Sequence, residues 1–175
     1  STSQVNSAKF DQLTQVLNQA FGASQSVINM NSLGILEKNR HAGESEKNAR
    51  KSYNKAVEAF QKEIEAKQVS VVKDERGTVV RLSSDFYFAS GSADLTSSAL
   101  QILRKLQEIM DSITNDIQIE GHTDNVPINR ASALAQRYPT NWELSAQRAI
   151  NVLKYFEQRG LEKTRLSAVG YADNK

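Results

Sequence analysis

Two rhythms of apolar and polar positions divide the chain near residue 68. Before that point the only period is helical. Phe10, Leu13, Val16, Leu17, Ala20 and Phe21 fall on one face at helical spacing, and Gly22 offers a stop. Residues 23–43 are rich in Ser and Asn, hold no steady period and read as a linker. From about Glu44 to Ala66 a second helix is expected. It is charged on most faces, with Ala49, Tyr53, Val57, Phe60 and Ile64 as a narrow apolar stripe. Such a stripe suits packing on one partner, either the chain's own domain or a second subunit. A helix that buries so little sits low in local stability, so residues 23–67 read as a spacer able to compact or extend, with a rigid stalk as the alternative.

From Val69 onward strands enter. Val69-Ser70-Val71-Val72 and Thr78-Val79-Val80-Arg81-Leu82 flank Asp74-Glu75-Arg76-Gly77, which predicts a hairpin. Thr96 then caps a helix whose Leu100, Leu103, Leu106, Ile109, Met110 and Ile113 are expected to point inward. Ile117-Gln118-Ile119-Glu120-Gly121 alternates and stops at the glycine, as a half-buried strand does. Beyond Pro139, Thr140-Asn141-Trp142-Glu143 has the form of a capping box, with Asn141 as an alternative cap. The helix it opens carries Leu144, Ile150, Leu153 and Phe156 and ends at Gly160; Arg165 to Val169 reads as a further strand. Strands alternating with helices predict a two-layer α/β sandwich, a mixed sheet with helices on one face.

Composition narrows the field. A chain of 175 residues holds one domain of ordinary size plus an appendage. Lys and Arg number 22 against 20 Asp and Glu, too even a balance for a dedicated nucleic-acid surface, and no basic stripe carries interleaved aromatics. Cysteine is absent, which removes disulfides, thiolate zinc sites and thiol catalysis. No apolar run approaches the ~20 residues that span a bilayer, and no secretory signal pattern is visible.

The chemistry gathers late in the chain. Asp124 lies just past the strand ending at Gly121, and Arg148 lies about two turns inside the helix opened at Thr140. A strand-end carboxylate opposite a helix-borne guanidinium makes a bipolar clamp, suited to a ligand carrying an ammonium and a carboxylate side by side. Taken singly, Asp124-Asn125-Val126-Pro127 also fits a polar turn, and Arg148 a solvated helix face. His122 and Asp124 could in principle transfer protons or bind a metal. The other histidine, His41, lies in the linker, and no nucleophile elbow, phosphate loop or dinucleotide fingerprint occurs. Ser90-Gly91-Ser92 shapes a strand-to-helix turn rather than a phosphate loop, and His122 is expected to be hydrogen-bonded and to hold its loop. No cofactor or metal is expected.

Gly121-His122-Thr123-Asp124, then Leu144-Ser145-Ala146-Gln147-Arg148-Ala149, then Gly170-Tyr171, resembles the OmpA-like peptidoglycan-binding domain. The fuller spelling Asn141-Trp142-Glu143-Leu144-Ser145, preceded by Phe88-Ala89-Ser90-Gly91-Ser92-Ala93-Asp94-Leu95, is similar to the flagellar stator B subunits, the MotB and PomB family. The likeness covers roughly the last three-fifths of the chain, with motifs in family order. It implies a non-catalytic domain, residues 68–175, in which Asp124 and Arg148 grip the diaminopimelate of a peptidoglycan stem peptide. Thr123, Asn125, Asn141, Leu144 and Ser145 would belong to the same site. Other members often carry an acid after the aromatic of the first loop, where Ala89 stands here; that acid contact is lost, while backbone groups of the loop could still line the pocket.

The resemblance also implies a homodimer outside the cytoplasm, held to the cell membrane and to a stator A subunit by a helix outside this chain. A general OmpA-like or Pal-like envelope tether with no motor role is the alternative. Residues 1–22, with Lys9-Phe10 and Ala20-Phe21-Gly22, resemble a stator plug, in which Phe10, Leu13, Leu17 and Phe21 would form the sealing face. Finally, the OmpA-like fold implies a last helix and a last strand inserted within the sheet. No such strand precedes Lys175, so either a continuation past Lys175 supplies it or another segment or a second subunit is expected to fill that slot.

Overall fold

A computed structural model describes residues 25–29, 42–75, 77–89 and 91–174. The hairpin forms as its alternation dictates. Strand β2 (Val69–Asp74) pairs antiparallel with β3 (Gly77–Ser83), and Asp74 faces Gly77 across the turn. Gly77 holds φ at +117°, a conformation that disfavours any side chain. After a one-turn helix α3 (Ser84–Tyr87), Thr96 caps the long helix α4 (Ser97–Asp111), its hydroxyl accepting from the Ala99 N–H at 3.1 Å. Strand β4 (Ile117–Gly121) follows, then a short α5 (Ala133–Arg137), α6 (Asn141–Gln158) and β5 (Leu166–Gly170), which lies parallel to β4.

Val69, Val71, Val80, Leu82, Ile117 and Ile119 share one buried face of the sheet and one core with the helices. The α4 contribution differs from expectation at one position. Ile102 points inward, while Leu100 is 37 % exposed. The buried set Ala99, Ile102, Leu103, Leu106, Ile109 and Met110 follows the helical period from the Thr96 cap, which leaves Leu100 at the rim.

With β1 (Gln25–Asn29), the sheet has five strands in the order β2-β3-β1-β4-β5. Its central strand is β1, antiparallel to β3 and to β4. These five residues lie in the stretch read as linker, and they occupy the slot that was expected to need filling. Their sequence, Gln-Ser-Val-Ile-Asn, is too short to show a period, so only the two partner strands define it as a strand.

The charged helix also departs from its reading. It forms two pieces, α1 (Ala42–Ala59) and a one-turn α2 (Gln61–Glu65), joined at Phe60. Ala49, Ser52, Ala56 and Phe60 are buried, and the Ser52 and Thr78 hydroxyls lie 2.8 Å apart, tying α1 to β3. The stripe is narrow because small residues let the helix approach the sheet closely; it is not weakly packed. Residues 25–29 and 42–60 therefore share the sheet and core that had been expected to begin at 68. The plug-like residues Phe10, Leu13, Leu17 and Phe21 lie outside the described residues.

Candidate functional site

The site lies at the end of the sheet where β4 and β5 stop, and two glycines let a helix reach it. Gly121 and Gly170 face each other in register across β4 and β5. A Cβ on Gly121 would lie 1.9 Å from the Ser145 carbonyl oxygen, and one on Gly170 would lie 2.6 Å from the Ala146 nitrogen. Only hydrogen at both positions lets the first turns of α6 rest directly on the strand ends.

The helix start is fixed as its capping box requires. The Thr140 hydroxyl accepts from the Trp142 N–H at 3.2 Å, and the Glu143 carboxylate accepts from the Thr140 N–H at 2.8 Å. The Thr140 hydroxyl also bonds the same carboxylate, and these bonds hold the exposed Glu143 carboxyl below its ordinary value. Asn141 is thus free of capping duty. Its amide Nδ2 donates to the carbonyls of Asp124 and Val126, each at 3.1 Å, and so staples the loop after β4 to the helix.

Asp124 itself is exposed. Its Oδ1 accepts from the Val126 N–H at 3.2 Å, the local turn that an Asp in this setting adopts. Asn125 is exposed beside it. Thr123 is buried, and its N–H donates to the Ala172 carbonyl at 2.9 Å. Ser145 is buried too, donating to the Trp142 carbonyl and accepting from the Ala172 N–H, both at 3.0 Å. Ala172 holds φ at +51°, so these bonds keep an alanine in a strained conformation where three elements meet. Leu144 is buried with Ala93 and Tyr138 in a small apolar cluster beneath the loops. Of the expected site residues, then, Thr123, Leu144 and Ser145 build the floor, Asn141 locks the loop, and Asp124 and Asn125 face solvent.

Arg148 lies seven residues after Asn141 on the same helix, about 10 Å along its axis. It is 8 % exposed rather than solvated. Its Nε donates to the Ser92 carbonyl at 3.0 Å, and its guanidinium lies over the Phe88 ring, 4.9 Å from the centroid. Asn151, one turn on, donates to the Ala93 carbonyl at 2.7 Å. The loop after Phe88 is therefore pinned to α6 by two side chains, through the carbonyls of Ser92 and Ala93. Phe88, Ser92 and Asn151 were not singled out as site residues. Asn151 sits at i+3 from Arg148, the one spacing that hinted at a shared face.

His122 takes a different part from the one expected. It is buried, stacked on Tyr171 with centroids 5.3 Å apart, and its Nε2 stands 3.7 Å from the Glu120 carboxylate. Among the described residues its ring nitrogens find no hydrogen-bond partner, so it holds the loop by stacking, not by hydrogen bonding. Among the described residues, no group of three His, Cys, Asp or Glu is placed to hold a metal, and no helix is long and apolar enough to cross a membrane.

The arrangement of a mixed sheet with helices on one face, and a helix resting on paired glycines beside a Gly-His-Thr-Asp strand end, defines a class. The chain belongs to the OmpA family, whose profile matches residues 87–175. Within that family it is a MotB-like OmpA-domain protein. It is 42 % identical over 109 residues to an uncharacterized protein, YtxE, of Bacillus subtilis, covering 62 % of this chain and 43 % of that one. It is 26 % identical over 110 residues to motility protein B of Bacillus subtilis, covering 62 % and 40 %. The chain thus spans about two-fifths of the length of the curated relatives it matches.

Among solved structures, a MotB-like protein of Desulfovibrio vulgaris superposes with a TM-score of 0.66 at 31 % identity, covering 74 % of this chain and 78 % of that one. The cell wall anchor of the T6SS from Pseudomonas aeruginosa superposes with a TM-score of 0.59 at 29 % identity, covering 68 % and 80 %.

Proposed function

We propose that this chain binds peptidoglycan without catalysis and anchors a flagellar stator complex to the cell wall, on the extracytoplasmic side of the membrane. The observation that carries the proposal is the placement of two opposite charges on one rigid frame. Asp124 is exposed and fixed through Asn141, and Arg148 is seated on Phe88 further along the same helix. In this reading Asp124 accepts the ammonium of a diaminopimelate side chain, and the Arg148 guanidinium forks onto its carboxylate. The relatives named for motility support the stator role. Residues 1–22 would act as the plug, a membrane helix outside this chain would join the stator A subunit, and two copies would work as a homodimer. The T6SS anchor neighbour favours a second reading, a wall tether with no motor role.

The cleanest probe is Asp124→Asn, which keeps the acceptor for the Val126 N–H but removes the charge. Retention on insoluble peptidoglycan should weaken by about 2–5 kcal/mol, as for Arg148→Ala, since each leaves a ligand charge unpaired. Arg148→Lys should fail as well, because a point charge cannot both bond the Ser92 carbonyl and fork onto a carboxylate. Near wild-type retention by folded Asp124→Asn protein refutes the clamp. Motility assays of the same variants in a full-length stator background separate the two readings, because a tether with no motor role leaves swimming unchanged.

A further inference from the structure

Trp142 is the chain's only tryptophan, and the fold makes little use of it. It is 54 % exposed in the first turn of α6. Burial of a large apolar side chain commonly contributes a few kcal/mol, and here much of that is forgone. Its position is nevertheless well defined. The capping box fixes its backbone on one side, and Ser145 holds its carbonyl on the other. Val126, 63 % exposed, stands across the Asn141 staple, which grips the carbonyls of both Val126 and Asp124. One amide therefore ties the backbone that carries the candidate acid and Val126 to the first turn of the helix that carries Trp142, with the exposed Asn125 alongside.

We infer that Trp142, with Val126, is a saccharide-stacking subsite, on which the C–H face of a peptidoglycan amino-sugar ring lies while the attached stem peptide reaches Asp124. This inference rests on the peptidoglycan-binding reading above and names a second part of its ligand. Size selects the occupant. A specific protein interface buries about 800 Å² on each partner, far more than one indole and one valine offer, whereas a single sugar ring matches an indole face. An exposed indole, apolar on its face and carrying an N–H at its edge, also suits a ligand that is apolar on its ring face and polar at its edge. Trp142 also follows directly on Asn141, whose amide touches the Asp124 carbonyl, so both belong to the same helix start.

The sole tryptophan makes the test direct. The full 175-residue chain is titrated with a disaccharide-bearing muropeptide and, separately, with the same stem peptide freed of sugar, while indole emission is followed. The muropeptide should bind more tightly and shift the emission to the blue; the free peptide should bind without that shift. Trp142→Ala, read by calorimetry, should weaken muropeptide binding by about three- to tenfold and leave the free peptide unchanged, with Trp142→Phe recovering part of the loss.

Equal losses on both ligands would place the indole against the peptide and overturn the proposal. So would muropeptide binding with no change in emission, or a blue shift produced only by lipid vesicles. Binding of neither ligand refutes the peptidoglycan reading itself and this subsite with it, so the two failures are distinguishable.

Discussion

Gly121 shows how one absent methyl group organises the molecule. Its substitution by alanine drives a Cβ into the backbone carbonyl of Ser145, and no side chain can move aside to relieve it. Gly121→Ala should therefore destabilise by at least the upper part of the usual overpacking range of about 1–3 kcal/mol, read as a lower urea midpoint. Gly160 is the contrast. Nothing lies within 4 Å of its added Cβ, but φ is +94°, so Gly160→Ala should cost only about 1 kcal/mol through backbone strain. A second residue-scale expectation concerns Glu63. Burial works against its charge, but the hydrogen bond and charge of Lys105 prevail, holding the carboxyl below its ordinary value of 4.5. Burial, with the same carboxylate adding to it, pushes the Tyr87 phenol up. A carboxyl depressed in the folded state adds stability that is complete above the unfolded value and is lost as pH falls through the folded one. Lys105→Met should accordingly lower Tm modestly at pH 7, since Lys105 is partly exposed, and the difference should shrink below pH 4.5. A difference constant across that range would show that the pair does not set it.

Among the elements, β1 is the one that joins the two parts of the site. It pairs on one side with β3, which leads into the loop held by Arg148, and on the other with β4, which leads into the Asp124 loop. Asn29 and Gln118 are partners in that register. Antiparallel partners stand about 4.5–5.5 Å apart at Cα, within disulfide reach, and the chain has no other cysteine to compete. Oxidised Asn29→Cys/Gln118→Cys protein should cross-link within one chain, seen as a mobility shift without dimer. Failure to cross-link, or a cross-linked dimer, would remove β1 from this slot or assign it to a second copy. The other elements needed less help. The 69–83 hairpin, the Thr96 cap and the Thr140 capping box were legible because each signal lies within a few contiguous residues. The break at Phe60 was not, because its cause is the burial of that ring in a core assembled from distant residues.

At the scale of the whole molecule, the proposed clamp, with its few polar contacts, should hold a single stem peptide modestly, since association entropy must be offset first. Two copies joined by a flexible linker should therefore bind insoluble peptidoglycan about 10²-fold or more tighter than one, measured by sedimentation, provided both can reach the wall. A tandem no tighter than the single chain would argue against bivalent anchoring. The sequence by itself determined the α/β class, the hairpin, the caps of α4 and α6 and the candidate pair Asp124 and Arg148. All of these rest on local spacing and on residues that carry their chemistry wherever they are placed. Tertiary structure decided which neighbours that chemistry meets. It seated Arg148 on Phe88 and bound it to the Ser92 carbonyl, turned Asn141 from cap to staple, and stacked His122 on Tyr171. It also drew five residues with no period of their own into the centre of the sheet. The reason is common to all four. A strand or a buried polar group is defined by partners far away in the chain, and no local pattern records who those partners are.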